Sequence, residues 1–140
     1  MIDSATEVVR LAAPFVDARA VGFLSGSLVA ARRRGVDVNV ITSVDRGMEF
    51  ESLNVGSRPE WGGLRITEVR TELSSLGSHA KVLLVDDSRG YVGSANLTTA
   101  GFGRHVEIGV EVAGPQVDDL ARLLVALERL GTCLPSVERP

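Results

Sequence analysis

The sequence predicts an α/β domain in which a mixed β-sheet is flanked by α-helices. Two observations carry this prediction. Six short apolar segments have the composition or the alternation of β-strands, and two longer segments have apolar residues at three- and four-residue spacings. The strands outnumber the helices, and the chain opens with a strand, a helix and a strand. That order suggests a mixed sheet covered by helices.

The first three elements lie in the first 42 residues. Residues 7–13 are dense in apolar side chains and predict a strand. From Ala18 to about Arg34 the apolar residues fall at helical spacing, and Asp17 is the expected N-cap. Arginines in the last turn face the negative end of the helix dipole, which favours a solvated helix terminus over a phosphate contact for them. Residues 36–42 alternate apolar and polar and predict the second strand.

The rest of the chain predicts four more strands and one more helix. The four strands are expected at 64–69, 79–86, 90–96 and 106–112. Residues 43–63 have no clear period, so we expect a long loop there. A last helix is expected to begin at Pro115 and to end at Gly131. Residues 1–131 are therefore expected to form one domain, and residues 132–140 a C-terminal tail.

Composition excludes several classes of protein. The chain has 140 residues, 44% of them hydrophobic, and no apolar run approaches the length of a membrane span. The start of the chain lacks the pattern of a secretory signal, so a cytoplasmic location is expected. The single cysteine, Cys133, excludes an internal disulfide, and no Cys/His cluster suggests zinc. A net charge of −3 argues against a broad basic surface, and 4% aromatic residues predict no exposed aromatic cluster.

Four polar side chains are expected to converge at one place. His79 and Lys81 are two residues apart, so on a strand they point to the same side. Ser94 and Asn96 have the same spacing on or just beyond the next strand, and the short turn-forming segment 87–90 makes a hairpin between them plausible. An imidazole, an ammonium, a hydroxyl and an amide supply hydrogen-bond donors for phosphate oxygens and one nucleophile. This set suits a phosphodiester.

These residues resemble the signature of the phospholipase D superfamily. The resemblance rests on the pattern His79-x-Lys81-x-x-x-x-Asp86 followed by Gly93-Ser94-x-Asn96, with an acidic residue, Glu107, 11 positions after the asparagine. Members of this family commonly carry an acidic residue there. The resemblance implies the phospholipase D-like fold and a phosphodiesterase reaction.

The resemblance also implies a role for each site residue. His79 would be the nucleophile that forms a covalent phosphohistidine. Lys81 would hold the non-bridging oxygens and offset charge in the transition state. Ser94 and Asn96 would donate further hydrogen bonds to the phosphate. Glu107 would accept the other ring N–H of a catalytic histidine and fix its tautomer.

Two motif residues are expected to be structural, and one histidine departs from the family pattern. Asp86 is expected to order the strand and turn, and Gly93 to let the backbone approach a ligand. His105 stands where relatives often carry a small polar residue. The family reaction uses two histidines and this chain holds one motif, so the resemblance implies a homodimer in which each subunit supplies one His79. His105 is the alternative source of the second group. No cofactor or metal is expected, and activity should survive chelators.

Three functions remain open at this point. The first is a metal-independent nuclease acting on DNA or RNA, because small single-motif bacterial members of the family are typically nucleases. A narrower resemblance, to phospholipase D-like proteins of DISARM-type phage defence, rests on residues 15–17 and the closing helix. The second is a catalytically weak nucleic-acid-binding subunit of a bacterial defence or repair complex. The third is a phospholipid phosphodiesterase, which lacks the support of a basic amphipathic helix or an aromatic membrane face.

Overall fold

A computed structural model describes residues 1–43, 64–69 and 79–133, and these residues form a single sheet of seven strands. The strands are β1 (Val8–Ala12), β2 (Asp37–Ser43), β3 (Leu64–Val69), β4 (Val82–Val85), β5 (Arg89–Gly93), β6 (Gly109–Ala113) and β7 (Thr132–Cys133). Their order across the sheet is β6-β5-β4-β1-β2-β3-β7. β1, β2 and β3 pair in parallel, and every other pair of neighbours is antiparallel. The predicted mixed sheet is confirmed.

Helices cover both faces of this sheet. They are α1 (Ala18–Arg33), α2 (Thr99–Gly103) and α3 (Gln116–Leu130), and a single 3-10 turn, Ile2–Ser4, precedes β1. Neighbouring residues of β4 point to opposite faces, and each belongs to a different apolar core. Val85 packs in the core that contains Leu28 of α1, whereas Leu84 packs in the core that contains Leu124 of α3.

The bounds of α1 follow from its two ends. At the start, Asp17 has an extended backbone and its Oδ1 accepts a hydrogen bond from Ala20 N at 2.8 Å, so the predicted N-cap is confirmed. At the other end Gly35 has a φ of +87°, which a residue with a Cβ rarely adopts. The helix therefore begins at an aspartate N-cap and ends just before a glycine with positive φ.

A polar network fastens α3 to the middle of the sheet. Glu128 of α3 accepts hydrogen bonds from Asn39 Nδ2 at 2.9 Å and from Arg10 Nε at 3.1 Å. Asn39 is buried and its Oδ1 accepts from Thr67 Oγ1 at 3.1 Å, while Arg10 also contacts Asp87 at 2.5 Å. The charges of Arg10 and Glu128 are mostly removed from water, so each needs its partner.

Replacing Glu128 by alanine is expected to lower the free energy of unfolding by about 3 kcal/mol, because Arg10 and Asn39 then lose their shared acceptor in a water-poor setting. Urea unfolding followed by circular dichroism measures this. Asp119→Ala is the matched control, since its ion pair with Arg122 on the same helix is exposed and should contribute little to stability. Equal losses for the two variants would contradict the assigned role of Glu128.

The elements around the site differ from the predictions in their bounds. β4 begins at Val82 and β6 at Gly109, later than predicted, while β5 ends at Gly93, earlier than predicted. Single backbone hydrogen bonds, from Gly93 N to Lys81 O and from Ser94 N to Ile108 O, continue the pairing just beyond these strand ends. The five-residue helix α2 was not predicted because it is too short to show a period, and the cap it uses, Thr98 Oγ1 accepting from Gly101 N, is a local feature.

The C-terminal end and the central loop complete the comparison. The expected tail from residue 132 is wrong in its first two residues, which form β7 and pair with β3 through Thr67 and Glu68. The predicted loop at 43–63 lies outside the described residues except for Ser43, which ends β2. In the part of the chain that the structure describes, no helix is both long and apolar enough to cross a membrane.

Candidate active site

Three extended segments lie side by side at one end of the sheet. They are the segment before β4, the segment after β5 and the segment before β6. Gly93 N donates to Lys81 O at 3.1 Å, which places the segment before β4 beside the end of β5. Ser94 N donates to Ile108 O at 2.9 Å, which places the same end of β5 beside the segment before β6. The predicted hairpin of β4 and β5 is confirmed by its antiparallel register. His79, Lys81, Ser94, Asn96 and Glu107 all lie on these segments.

The side chains of His79 and Lys81 contact each other, as the spacing of two predicts. Lys81 Nζ lies 3.2 Å from each ring nitrogen of His79 and donates to the backbone oxygen of His79 at 3.2 Å. The imidazole and the ammonium therefore lie directly against each other, so both can reach one bound phosphate group.

Phe15 adds an aromatic contact that the sequence did not indicate. Its ring meets the His79 ring edge to face, with the centroids 6.5 Å apart and the planes at 80°. Phe15 lies between β1 and α1 and is exposed, so it borders the imidazole on the open side of the site. Its position restricts the orientations that the imidazole can adopt.

Glu107 is connected to Ser94 and to His105. Ser94 Oγ donates a short hydrogen bond to Glu107 Oε2, and Ser94 Oγ in turn accepts from Ile108 N at 3.0 Å. The other carboxylate oxygen of Glu107 lies 3.6 Å from His105 Nδ1. Glu107 thus contacts Ser94 and His105 in this structure, and its expected hydrogen bond to His79 stays a prediction. His105, which the motif does not include, belongs to the same cluster.

Lys81 is in an unusual setting for a lysine. Burial lowers the pKa of its ammonium below the ordinary value, and the negative charge of Glu107 offsets part of this effect. Lysine is also the rarer base in this chain, with arginine making up the other basic residues. A partly desolvated ammonium binds a phosphate oxygen more strongly than one in open water does.

Asn96 offers a polar atom without a partner. Its Oδ1 is buried and makes no hydrogen bond, although it lies close to Lys81 and Glu107 in the wall of one cavity. Gly101 packs against the Asn96 backbone so closely that a Cβ would stand 2.5 Å from Asn96 O. The backbone at Asn96 is therefore held against α2, and the buried side-chain oxygen beside it has no hydrogen-bond partner among the described residues.

Asp17 anchors the segment that carries Asn96. Besides capping α1, its carboxylate accepts hydrogen bonds from Thr99 N at 2.6 Å and from Thr99 Oγ1 at 3.0 Å, and Asp17 N donates to Leu97 O at 2.9 Å. Burial raises the pKa of Asp17, but the hydrogen bonds from Thr99 and Ala20 outweigh burial and hold this pKa below its ordinary value. One carboxylate therefore joins two helix starts across 82 residues.

Replacing Asp17 by alanine is expected to lower the free energy of unfolding by about 2 kcal/mol at neutral pH, because the amides at two helix starts lose their acceptor. The lowered pKa means that this stabilisation is present above the unfolded-state pKa and disappears as the pH falls through the folded-state pKa. Urea unfolding at neutral pH and near about pH 3 measures the difference between wild type and variant. A difference that does not shrink in acid would contradict this account.

The two structural motif residues have clear contacts. The Asp86 carboxylate accepts hydrogen bonds from the backbone N–H groups of Thr6 at 2.9 Å, of Glu7 at 2.8 Å and of Val8 at 3.0 Å. These bonds tie the β4–β5 turn to the start of β1. Gly93 leaves room for a side chain, because a Cβ there would stand 2.6 Å from the Tyr91 hydroxyl. The expected approach of a ligand to the Gly93 backbone stays a prediction.

A cavity of about 320 Å³ opens beside these groups. Lys81, Asn96 and Glu107 form its polar part, and Leu24 and Phe102 belong to its apolar part. Phe102 also contacts Phe23, and both rings are exposed, so the expectation of no exposed aromatic cluster was wrong. Composition could not reveal the pair because it forms only when α1 and α2 pack together. Among the described residues, no group of three or more His, Cys, Asp or Glu side chains is arranged to hold a metal ion.

Comparison with known proteins is consistent with this geometry. The family model described as "Cardiolipin synthase, PLD-like domain" matches residues 1–127. No curated protein matches the chain. Among solved structures the chain is similar to Nuc, a phospholipase D family member from Salmonella typhimurium, with 23% identity and a TM-score of 0.75 over 96% of this chain and 86% of that one.

Two further structures resemble the chain. NucT from Helicobacter pylori has 16% identity and a TM-score of 0.76, with 95% of this chain and 86% of that chain covered. Phosphatidylserine synthase from Haemophilus influenzae also has 16% identity, with a TM-score of 0.67, over 95% of this chain and 35% of that one. At these identities the structural similarity establishes the fold.

Proposed function

The chain belongs to the phospholipase D superfamily of phosphodiesterase-type enzymes, and from this premise we propose that it is a metal-independent nuclease that cleaves DNA or RNA. The observation that carries the proposal is the contact of His79 with Lys81, which lines one cavity together with Asn96 and Glu107, while Glu107 accepts a hydrogen bond from Ser94. These groups supply a nucleophile, a cation and neutral donors for a phosphate without calling on a metal.

The proposed reaction has two displacement steps. In the first, a ring nitrogen of His79 attacks phosphorus, the bond from phosphorus to the leaving oxygen breaks, and a protonated imidazole gives its proton to that oxygen. In the second, water attacks the phosphohistidine while the same imidazole, now neutral, takes a proton from the water. His79 leaves with the electron pair of the broken bond. Lys81, Ser94 and Asn96 bind the non-bridging oxygens in both steps.

The protonated imidazole is proposed to come from His79 of the partner subunit in a homodimer. Support comes from a strip of exposed apolar side chains beside the site, formed by Val106, Ile108 and Val110 on an edge of the sheet. These residues alternate with Glu107, so the strip is continuous with the segment that carries the site. An exposed edge of this kind is commonly covered by another chain, and a second copy here also brings a second histidine.

The dimer is tested by the mass in solution. Ile108→Arg is expected to convert a dimer into a monomer in light scattering and to abolish turnover while circular dichroism stays unchanged. The exposed Leu130→Arg on α3 is the matched control and should leave both unchanged. A monomeric wild type that turns over would contradict the proposal. In that case loss of turnover in His105→Ala would identify His105 as the second group, since it already contacts Glu107.

The function itself is tested by a substrate panel in excess EDTA. Purified protein is incubated with single- and double-stranded DNA, with RNA and with a chromogenic phosphodiester. Cleavage by wild type and none by His79→Asn are expected. A folded dimer that binds nucleic acid and cleaves nothing would instead favour the binding-subunit function. A place in phage defence or repair, and location in the cytoplasm, stay predictions.

A further inference from the structure

An exposed aromatic pair lies at the rim of the site cavity. Phe23 of α1 and Phe102 of α2 are 60% and 49% exposed, and their rings meet edge to face with the centroids 6.2 Å apart. Single exposed apolar residues are common, but two adjoining aromatic rings in a chain with 4% aromatic residues form a distinct surface feature. Neither ring serves the chemistry described above.

The pair is tied to the phosphate-binding groups by rigid contacts. Phe102 lies in the wall of the same cavity as Lys81 and Asn96, and Leu24, the neighbour of Phe23, lies in that wall too. The hydrogen bonds from Thr99 to Asp17 join the starts of α2 and α1. The two helices that carry the rings therefore keep a fixed position relative to the site, as a recognition surface requires.

The charge and surroundings of the pair favour a polyanion with aromatic parts. Arg19 is exposed one helical turn before Phe23, Arg104 is exposed two residues after Phe102, and neither α1 nor α2 contains an acidic residue. The other exposed positions beside Phe23 are Gly22 and Gly26. Arg19 thus lies on the same face of α1 as Phe23, and the two rings form a small patch, which differs from the continuous apolar face of a membrane-binding helix.

We propose that Phe23 and Phe102 form a stacking platform for an unpaired nucleobase next to the scissile phosphate, so that single-stranded nucleic acid is the preferred substrate. This inference rests on the proposed function. Every nucleobase has a face that stacks on an aromatic ring, whereas in a duplex both faces are covered by neighbouring base pairs. The positive charges of Arg19 and Arg104 attract the phosphate backbone of the bound strand.

Binding separates this inference from the proposed function. The probes are a fluorescent single-stranded oligonucleotide, its abasic analogue with the same backbone and charge, and the corresponding duplex. Fluorescence anisotropy is measured on the His79→Asn protein, which keeps the strands intact. We expect the abasic strand and the duplex to bind about tenfold more weakly than the base-bearing strand. Adding Phe23→Leu and Phe102→Leu should remove the difference between the base-bearing and abasic strands.

A control variant and three further measurements test whether base stacking is the cause. Leu123→Ala, an exposed aliphatic change on the opposite helix, should preserve the base-dependent difference, and mass and melting temperature should match across all variants. Equal binding of base-bearing and abasic strands before the phenylalanine changes overturns the inference. Cosedimentation with vesicles of an anionic phospholipid, lost in the double variant, would overturn it in favour of a lipid surface. If wild type cleaves neither strand, the proposed nuclease function is contradicted. The stacking proposal is then still tested by the difference in binding between the base-bearing and abasic strands.

Discussion

Replacing His79 by alanine is expected to lower kcat by at least about 10⁴-fold, because the change removes the proposed nucleophile of the covalent intermediate. The affinity for the intact strand should change much less, since Lys81, Ser94 and Asn96 remain to bind the phosphate. Initial rates and anisotropy on the same preparation measure the two quantities. His79→Asn is the second variant, as it keeps a polar side chain of similar reach beside Phe15 and Lys81.

Acid-free quenching of wild type during turnover should trap phosphorus on a histidine, detected as a mass increase on the peptide that contains residue 79. The bond between phosphorus and an imidazole nitrogen is labile in acid, so the quench must be alkaline. If both His79 variants retained more than about a tenth of wild-type turnover, the proposed nucleophile would be wrong. His105→Ala tests whether the nearby imidazole supplies such residual activity.

Replacing Lys81 by alanine is expected to lower kcat/KM by about 10²- to 10³-fold, the usual effect of losing one electrostatic contact to a transition state. Lys81→Arg keeps the charge but not the compact ammonium that fits against the His79 ring, so part of the loss should remain. Ser94→Ala removes a neutral donor from the same phosphate and should have the smaller effect. A larger loss for serine than for lysine would contradict the assigned roles.

The pH dependence provides an independent check on Lys81. Burial lowers the pKa of its ammonium, so the charged form is lost at a lower pH than for an exposed lysine, with Glu107 opposing part of this shift. Activity that needs the ammonium therefore falls as the pH rises through this lowered pKa. The guanidinium of Lys81→Arg stays charged in the same range, so the part of the alkaline decline that Lys81 causes should be missing from the variant's residual activity. Measuring the reaction rate against pH for wild type and Lys81→Arg on one substrate tests this expectation.

The parts of the site that follow from local geometry could be predicted from the sequence. Residues two apart on an extended chain share a side, and this alone predicts the contact of His79 with Lys81. A short turn between two strands predicts the hairpin that brings Ser94 to the same end of the sheet. The mixed sheet followed in the same way from alternation and from the opening strand, helix and strand.

The parts that depend on distant contacts could not be predicted. Whether the Glu107 carboxylate contacts Ser94, His105 or His79 depends on small shifts between adjoining segments. Residue spacing in the sequence does not determine these shifts. The second function of Asp17, on Thr99, joins residues 82 positions apart, and the N-cap pattern indicates only the near contact. The edge-to-face contact of Phe23 with Phe102 likewise exists only because two helices pack side by side.

The position of the site residues has a consequence for how the chain folds. From His79 to Glu107 they lie on one antiparallel meander, β4-β5-β6, whose contacts are close in sequence. The strands of this meander are near each other in sequence, so bringing them together costs less chain entropy than a long-range pairing does. The reacting groups of one subunit are therefore positioned by contacts of low sequence separation. The parallel pairing of β1 with β2 must enclose α1, so we expect it to form more slowly. Asp86 connects the two halves, because its carboxylate on the meander receives the N–H groups that lead into β1.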